Sequence, residues 1–434
     1  MTALQAGPTV SAPKIQAIRG VKDILPSDIE PWHILETTAR NLSETFGYAE
    51  IKIPIFEATE LFARGLGAAT DVVEKEMYTF EDRDGKLITL RPEGTASVIR
   101  AYIEHHLWTE SPLVKLYYIG PMFRHERPQA GRFRQFHQIG VEALGSASPW
   151  LDVEQLVLLN RLFLALEIAP TTLLLNSLGC PLCRPAYRDA LKAFLSQRAE
   201  DICEACRRRI DTNPLRVLDC KREECRALTR DAPVITGFLG SECVDHFDAV
   251  RAGLDDVGVP YVVEPRLVRG LDYYTKTAFE FTAEGLGAQN TIAAGGRYDG
   301  LVEALGGPPT PGVGFALGIE RVVTLFKKGA LSSLSPDIFI ATVGEPAKRR
   351  VIGTLTALRD AGIKVETDYD QGSLKSQMRR ADKLGAHYTV ILGDDELAKG
   401  LAVVRDMATK SQTEVALGGL VSHLVTLLAS SRRA

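Results

Sequence analysis

The amino-acid sequence predicts an α+β core that contains an antiparallel hairpin, followed by a small α/β domain with a mostly parallel sheet. Two runs of strand character, 115–123 and 133–143, flank a loop marked by Pro128 and Gly131, which is typical of a hairpin. From Asp337 onward, strand-like and helix-like stretches alternate, which indicates a largely parallel sheet. At 434 residues, the chain is long for one core, so we expect two or three domains.

The composition is that of an ordinary globular protein. The 51 basic and 55 acidic residues give a net charge of −4, so any binding of nucleic acid must come from local patches. No apolar run approaches the roughly 20 residues that span a bilayer. The first residues lack the basic start and apolar stretch of a secretory signal. We therefore expect a cytoplasmic protein without a membrane partner, with residues 1–17 as a flexible leader.

A helix and a strand open the core. Ser27 and Glu30 fit a capping box, and apolar residues then recur at three- and four-residue steps up to Gly47. The strand that follows, 48–57, contains Pro54, and an internal proline favours a position at a sheet edge or an interface.

A second strand reaches Leu90 and gives way to a helix that opens near Thr95. Glu93 and Thr95 therefore lie where a strand ends and a helix begins, a common place for a site. Two interpretations remain open. Thr95 could simply cap the helix, or the carboxylate and the hydroxyl could together hold a substrate ammonium group.

The predicted hairpin carries charged residues among apolar and aromatic ones: Arg124, Arg127, Arg132, Arg134, Glu126 and Glu142. The simpler interpretation is a solvated, salt-bridged hairpin. However, Phe123 and Phe136 would bury the same hairpin, and arginine grips phosphate with a planar fork of donors. The pattern favours a site for a polyphosphate whose charge grows in a transition state.

Two helices at 151–166 and 187–195 follow, separated by the strand-like TTLLLNSLG, and residues 180–245 then become rich in Cys, Arg and Glu. We interpret this stretch as an insertion or a separately packed subdomain. Its two Cys-x-x-Cys pairs match the spacing of a four-thiolate zinc site formed by Cys180, Cys183, Cys203 and Cys206. The alternative is a set of free buried thiols, and Cys243 is expected to be free in either case.

The segment LVRGLDYYTKTAFEF, within 262–281, predicts a strand, a glycine-containing turn and a second strand from Thr277. Arg269, Tyr273 and Tyr274 cluster at the turn, although tyrosines on a sheet are more often packing residues than ligands. Later, PGVGFALGIERVVTL runs from glycines into a helix that bears Arg321. Its GxGxxxG spacing differs from the dinucleotide fingerprint, and no GxxxxGK[ST] loop occurs, so hydride-transferring and P-loop enzymes are disfavoured.

Three of these segments resemble the three motifs of class II aminoacyl-tRNA synthetases. The first helix and strand are similar to motif 1, the hairpin YIGPMFRHERPQAGRFRQFHQIGVE to motif 2, and PGVGFALGIERVVTL to motif 3. The LVRGLDYY phrase resembles histidyl-tRNA synthetases in particular. The resemblance implies a core at 18–326 with helices flanking an antiparallel sheet, a linker at 327–336, an anticodon-binding domain at 337–434, and a homodimer.

The same resemblance implies a two-step reaction. L-Histidine attacks the α-phosphate of ATP, with Mg²⁺ on the phosphates, and the histidyl group then passes to the 3′ end of tRNA(His). Arg124 and Arg269 match family positions at the α-phosphate. The implied ATP-binding residues are Arg124, Glu126, Arg132 and Arg321. The implied histidine-binding residues are Glu93, Thr95, Gln138, Glu142, Tyr273 and Tyr274, and Arg127 and Gln129 match positions near the tRNA acceptor end.

Two other classes of protein compete with this interpretation. The catalytically silent regulatory subunit of ATP phosphoribosyltransferase shares the core without charging tRNA, but the LVRGLDYY phrase, Arg321 and the C-terminal domain argue against it. A class I synthetase is disfavoured because the chain contains no HIGH-like or KMSKS-like segment.

Overall fold

The computed structural model describes residues 15–67, 70–126, 132–168, 170–286, 290–326, 335–370 and 372–431. The chain divides into two compact units, with the division between Lys328 and Gly329. Arg127 and Gln129 lie outside the described residues, as do most of the predicted leader and the linker residues 327–334.

The first unit is built on strands and helices that we number in chain order. Its strands are β1 (Ala49–Glu50), β2 (Phe56–Ala58), β3 (Tyr78–Glu81), β4 (Leu87–Leu90), β5 (Val114–Phe123), β6 (Gln135–Leu144), β7 (Thr171–Ser177), β8 (Val262–Val263), β9 (Thr275–Ala283), β10 (Thr291–Arg297) and β11 (Gly312–Gly318). Its helices are α1 (Glu30–Thr45), α2 (Thr59–Leu66), α3 (Thr95–Glu104), α4 (Pro149–Ala165), α5 (Arg184–Ser196), α6 (Glu204–Thr212), α7 (Glu223–Leu228), α8 (Ser241–Asp256), α9 (Leu301–Ala304) and α10 (Ile319–Val323). Among the described residues, no helix has both the length and the apolar character needed to cross a membrane.

Eight of these strands form the central sheet in the order β1-β5-β6-β11-β10-β9-β7-β8, and β2, β4 and β3 form a small separate sheet. The pairs at the two ends of the central sheet, β1 with β5 and β7 with β8, are parallel. Every pairing between them is antiparallel. The prediction of a core on an antiparallel sheet is therefore confirmed.

The predicted hairpin supplies the second and third strands of this sheet. β5 and β6 pair antiparallel from Val114 opposite Leu144 to Phe123 opposite Gln135. Side chains on one face join a large core with α1 and α4, in which Leu35, Tyr117 and Leu159 are fully buried. The candidate site lies on the opposite face of the hairpin.

The start of α1 differs from the prediction. The helix begins at Glu30 with Ile29 at its N-cap and Pro31 in its first turn, and the Ser27 hydroxyl donates to Asp28 instead of capping the helix. Proline presets the helical φ angle and needs no hydrogen-bond partner in the first turn. Because Ser27 lies two residues before the N-cap, it cannot reach the N–H groups of that turn, and the predicted capping box is wrong.

The predicted strand at 48–57 is also divided. β1 ends at Glu50 and β2 begins at Phe56, with Pro54 between them. Proline has no N–H to donate to a sheet, so the ladder cannot run through it. β1 does occupy an edge of the central sheet, as the proline suggested.

The cysteine-rich stretch forms a small helical subdomain made of α5, α6 and α7. It has a core of its own, which includes Tyr187, Leu191, Ile210 and Val217. Short turns of 3₁₀ helix at 214–217 and 235–238 connect its helices.

The second unit is a small α/β domain. Its elements are β12 (Ile338–Thr342), α11 (Glu345–Asp360), β13 (Val365–Thr367), α12 (Leu374–Leu384), β14 (Tyr388–Leu392), α13 (Asp394–Lys399), β15 (Leu401–Asp406), β16 (Gln412–Ala416) and α14 (Leu420–Ser431). The strand order is β13-β12-β14-β15-β16. Helix α12 begins at the Ser373 cap, whose hydroxyl oxygen accepts the N–H of Ser376, and it ends at Gly385 with φ of 69°.

This sheet is less parallel than predicted. β12 pairs parallel with β13 and β14, whereas β15 pairs antiparallel with both β14 and β16. A parallel neighbour needs a crossover of a dozen or more residues. The connection from β14 to β15 covers only 393–400, so the chain returns in the opposite direction.

Candidate active site

A cavity of about 730 Å³ lies over the central strands of the first unit. Every described residue that was predicted to bind ATP or histidine lines it, except Glu142. The lining residues among the predictions are Glu93, Thr95, Arg124, Glu126, Arg132, Gln138, Arg269, Tyr273, Tyr274 and Arg321. The fold thus brings together side chains from β6, the start of α3, the loop before β9, and α10.

Arg124 and Arg269 reach this cavity from distant parts of the chain. Arg124 directly follows β5, its backbone N–H bonds to the carbonyl of Arg134 at 2.9 Å, and its Nε donates to the carbonyl of Pro92 at 2.8 Å. Arg269 pairs with Glu280 of β9, and its guanidinium lies 5.5 Å from the ring centre of Tyr274. Burial lowers the pKa of Arg269, but the Glu280 carboxylate together with Tyr274 and Tyr273 raises it above its ordinary value, so the guanidinium stays charged.

Two further arginines lie in the same cavity. Arg132 pairs with Glu126 at 2.7 Å. Arg321 of α10 donates to the carbonyl of Thr291 at 2.7 Å. Burial lowers the pKa of Arg321, and the positive charge of Arg132 lowers it further. Guanidinium groups gathered in one cavity form a site of positive potential, which suits a polyanion.

The junction between β4 and α3 carries the first predicted acid. The Glu93 carboxylate accepts the backbone N–H groups of Thr95 at 2.8 Å and Ala96 at 2.9 Å. The Thr95 hydroxyl donates instead to Oε1 of Glu142 at 2.6 Å. The interpretation of Thr95 as a helix cap is therefore wrong, because Glu93 satisfies the first turn and leaves the hydroxyl for the site.

Glu142 lies beneath the lining and is fully buried. Its carboxyl group accepts from the hydroxyls of Thr95 and Tyr298. Gly314 of β11 stands opposite it in the sheet, and a Cβ there would lie 1.8 Å from Oε2 of Glu142. Burial raises the pKa of Glu142 to about 8, although the two hydroxyl donors lower it. At neutral pH this carboxyl group is therefore mostly protonated.

Aromatic rings and one amide complete the deep end of the cavity. The rings of Tyr273 and Tyr274 lie 4.6 Å apart, and Tyr273 meets Tyr298 edge to face at 5.8 Å. Gln138 of β6 lines the cavity, and its buried Oε1 has no partner among the described residues. A buried amide oxygen without a partner is costly, so it is available to a ligand.

The sequence did not single out three residues that the structure adds to this site. Tyr298 bonds to Glu142, Glu280 pairs with Arg269, and Glu320 accepts from both the backbone N–H and the ring of His137. A glutamate between two phenylalanines of a strand, as at Glu280, was a usable signal because buried carboxylates almost always need a partner. Tyr298 had only the weak GGRYDG segment to mark it.

The predicted zinc ligand set is wrong. Cys203 and Cys206 group with Cys220 and Cys225, whereas Cys180 and Cys183 group with Cys243. The four predicted ligands are therefore divided between two groups of sulfur atoms and do not form one set. Cys243 is not isolated either, because its sulfur belongs to the second group.

Comparisons with known proteins agree with the geometry. The family model described as histidyl-tRNA synthetase matches residues 20–322, and the one described as anticodon binding domain matches residues 337–427. The histidine–tRNA ligase of Geobacter metallireducens is 51% identical over 403 residues, which cover 93% of this chain and 97% of that protein. The apo histidyl-tRNA synthetase of S. aureus matches with a TM-score of 0.80 and 39% identity, covering 95% of this chain and 100% of that one.

A more distant structure bears on the rival interpretation. An ATP phosphoribosyltransferase regulatory subunit/histidyl-tRNA synthetase from Bacillus halodurans matches with a TM-score of 0.63 and 17% identity, covering 88% of this chain and 98% of that one. At this identity the likeness shows only a shared fold.

Proposed function

The chain belongs to the histidyl-tRNA synthetase family, and we propose that the cavity in its first unit joins L-histidine to ATP and then passes the histidyl group to the 3′ end of tRNA(His). One observation carries the assignment of the site. Arg124 and Arg269, which are far apart in sequence, line the same cavity as the buried polar floor formed by Glu93 and Thr95.

The first step is a displacement at phosphorus. A carboxylate oxygen of histidine attacks the α-phosphorus of ATP, the bond from that phosphorus to the bridging oxygen breaks, and pyrophosphate leaves with the electron pair. Negative charge grows on the α-phosphate oxygens during this step. Donors fixed in advance at that point stabilise the transition state more than the ground state, and Arg124 and Arg269 supply them. Arg132, Glu126 and Arg321 hold the rest of ATP.

Mg²⁺ is expected to arrive with the phosphates. It takes oxygen ligands and is usually held by one or two carboxylates together with substrate phosphates. Glu126 and Glu280 line the cavity beside the arginines, so their carboxylates fit this role. When bound, the ion neutralises phosphate charge.

The deep end of the cavity suits histidine. Glu93, Thr95 and Gln138 surround the place proposed for the α-amino group, because they offer oxygen acceptors to an ammonium ion. The neutral imidazole has one donor and one acceptor nitrogen, and we assign its recognition to Tyr273, Tyr274 and the Glu142 carboxyl group with its partner Tyr298. Groups left unpaired by a different amino acid would provide the selectivity.

The partners beyond the cavity are part of the same proposal. The second unit is proposed to bind the anticodon stem of tRNA(His), and Arg127 and Gln129 to meet its acceptor end. We propose a cytoplasmic homodimer in which α1 and β1, the segment similar to motif 1, lie at the interface. The mass in solution, measured by light scattering, tests the dimer directly.

Histidine-dependent exchange of pyrophosphate into ATP tests the activity. Arg269→Ala should slow this exchange by on the order of a hundredfold or more, the scale for losing one transition-state donor. Arg251→Ala serves as the matched control, because that arginine lies on α8, does not line the cavity, and has Asp248 and Tyr261 as partners. Because Arg269→Ala also leaves Glu280 without its ion-pair partner, the exchange rates are compared at a temperature well below the melting temperature of each variant. An exchange rate in Arg269→Ala equal to that of the control would remove Arg269 from the reaction.

The same assay distinguishes a histidyl-tRNA synthetase from a regulatory subunit of ATP phosphoribosyltransferase. A silent regulatory subunit would support no histidine-dependent exchange at any ATP concentration, whereas a synthetase exchanges with histidine and not with the other amino acids. Exchange that another amino acid supports equally well would contradict the proposed specificity.

A further inference from the structure

The helical subdomain contains four cysteines that the reaction does not use. Cys203 and Cys206 flank the start of α6, Cys225 lies in α7, and Cys220 precedes α7. Their four sulfur atoms all lie within 4.8 Å of one another, and those of Cys203 and Cys220 are 4.0 Å apart. Packing alone does not explain why four thiols lie so close together, since thiols interact only weakly with one another.

The spacing of these atoms matches a metal centre. In a tetrahedral four-thiolate zinc site with Zn–S bonds of about 2.3 Å, neighbouring sulfurs lie roughly 3.8 Å apart. The Cys203–Cys220 separation is close to this value and about twice the length of a disulfide bond. The pattern Cys-x-x-Cys is also the usual start of a structural zinc site.

The surroundings of the sulfur atoms also favour a metal centre. The backbone N–H of Cys203 donates to the sulfur of Cys225 at 3.2 Å. Hydrogen bonds from groups that do not themselves bind the metal, such as this backbone N–H, orient the ligand atoms and stabilise their charge. Cys206 and Cys225 are buried while Cys203 and Cys220 are half-buried, so the centre lies at the edge of the subdomain core and is open to an incoming ion.

The subdomain is small enough to need such a centre. Its core of buried residues runs only from Tyr187 to Ile235, and Cys206 and Cys225 are themselves members of it. A core of this size rarely stabilises a fold alone, and small domains often add a structural metal.

We propose that Cys203, Cys206, Cys220 and Cys225 bind one zinc ion as thiolates, and that this ion fixes the adjacent segment as a wall of the cavity. Each thiol gives up its proton to solvent when the ion binds. Leu218, Asp219, Cys220 and Lys221 line the cavity, as does Arg226 from α7. The ligands therefore sit within the segment that faces the substrates, and the role of this wall rests on the proposed function of the cavity.

The other cysteine group provides a matched control. Cys180, Cys183 and Cys243 bring three sulfurs together, and among the described residues no fourth ligand joins them. Cys243 is buried, like Cys206. Cys243→Ser should therefore disturb packing as much as a ligand substitution does without removing the proposed metal.

The first experiment measures metal in the full-length protein, purified without metal-affinity steps or chelators. The wild type and Cys243→Ser should each retain one zinc per chain in this site, and Cys220→Ser and Cys206→Ser should each lose one relative to wild type. Zinc that is absent from the wild type after growth with added zinc, or that is lost in Cys243→Ser but kept in both ligand variants, would overturn the proposal.

A second measurement does not depend on whether the variants fold. Cobalt exchanged into the wild type should show the thiolate charge-transfer bands and intense visible bands of a tetrahedral four-thiolate site. Removing the ion should increase hydrogen exchange in 214–228 more than in α8. Cobalt spectra without thiolate bands contradict the site, and exchange that does not change on metal removal contradicts its role in the wall. Both readouts are independent of catalysis, so an inactive protein that binds zinc would defeat only the proposed function.

Discussion

At the residue scale, the floor of the cavity depends on one carboxyl group buried between two hydroxyls. Glu142 accepts from Thr95 and Tyr298, and Gly314 leaves the space in which the carboxyl group lies. The nearby carboxylate of Glu93 adds to the effect of burial on its pKa. Two adjacent acids are tolerated because one of them is mostly neutral at physiological pH.

This arrangement predicts that the protein loses stability as pH rises. The pKa of Glu142 is raised from 4.5 to about 8 in the folded state. Between these values the folded chain keeps a proton that the unfolded chain has released. The contribution is therefore complete below the lower value and is lost as pH rises through the upper one, by at most about 1.4 kcal/mol per pH unit. Urea unfolding at a series of pH values measures the slope.

Glu142→Gln is the comparison for this slope, because glutamine keeps the size and one acceptor but does not titrate. Its stability should vary less with pH across the same window. Some slope remains, since burial also raises the pKa of Glu93. Parallel curves for the two proteins would show that Glu142 is not the group responsible.

The sequence pointed to many residues of the site but not to their depth. Arg124 was marked by its apolar surroundings, whereas Arg269 and Arg321 were implied by the resemblance to family motifs, and all three line the cavity. The sequence did not show that Glu142 lies below the surface or that Tyr298 bonds to it, since both facts depend on the register of β6 against β11 and on the turn after β10. Register is set across strands, which no local pattern records.

At the element scale, α3 begins in a way that joins stability to function. Glu93 lies immediately before the helix and accepts two N–H groups of its first turn, which would otherwise be buried without partners. The same carboxyl group faces the cavity. Glu93 therefore stabilises the start of α3 and also forms part of the cavity wall.

We predict that Glu93→Ala destabilises the first unit by on the order of 2 to 4 kcal/mol, because two buried donors lose their acceptor. Glu93→Gln keeps one acceptor oxygen and should cost less than half as much. Denaturant unfolding of the three proteins, followed by far-ultraviolet circular dichroism, gives the comparison. Equal losses in the two variants would mean that charge, and not the helix start, is what Glu93 supplies.

Elements with strong local signals were predicted and those decided by distant contacts were not. The hairpin of β5 and β6 and helix α4 follow from patterns within a few residues. The predicted zinc ligand set was wrong because the spacing of cysteines in the sequence does not show which sulfur atoms the fold brings together. The antiparallel direction of β15 followed from a connection too short for a crossover, which alternation of elements does not reveal.

At the scale of the whole molecule, each unit has a core of its own. The first unit packs Leu35, Tyr117 and Leu159 around its central sheet. The second packs Ile340, Val390 and Leu424 around a separate one. A core that closes within one stretch of chain is the usual condition for independent folding.

We therefore predict that the fragments 1–328 and 329–434 fold separately. Fragment 329–434 should unfold in a single cooperative transition, because its helices and strands share an apolar core within that stretch of chain. Fragment 1–328 should retain histidine-dependent pyrophosphate exchange, since every described residue of the cavity lies within it. Its charging of tRNA(His) should fall by on the order of tenfold or more, the factor that corresponds to about 1.4 kcal/mol of lost binding.

Calorimetry of the two fragments and the intact chain, together with exchange and charging assays, distinguishes the possible outcomes. Fragment 329–434 without a cooperative transition would mean that its core is incomplete. Fragment 1–328 that is folded yet inactive in exchange would mean that the second unit contributes to activation itself. Charging that is undiminished in fragment 1–328 would mean that the second unit adds nothing to tRNA recognition. If exchange is retained while charging is lost, the first unit activates histidine and the second unit recognises tRNA(His), because only the charging reaction needs the tRNA.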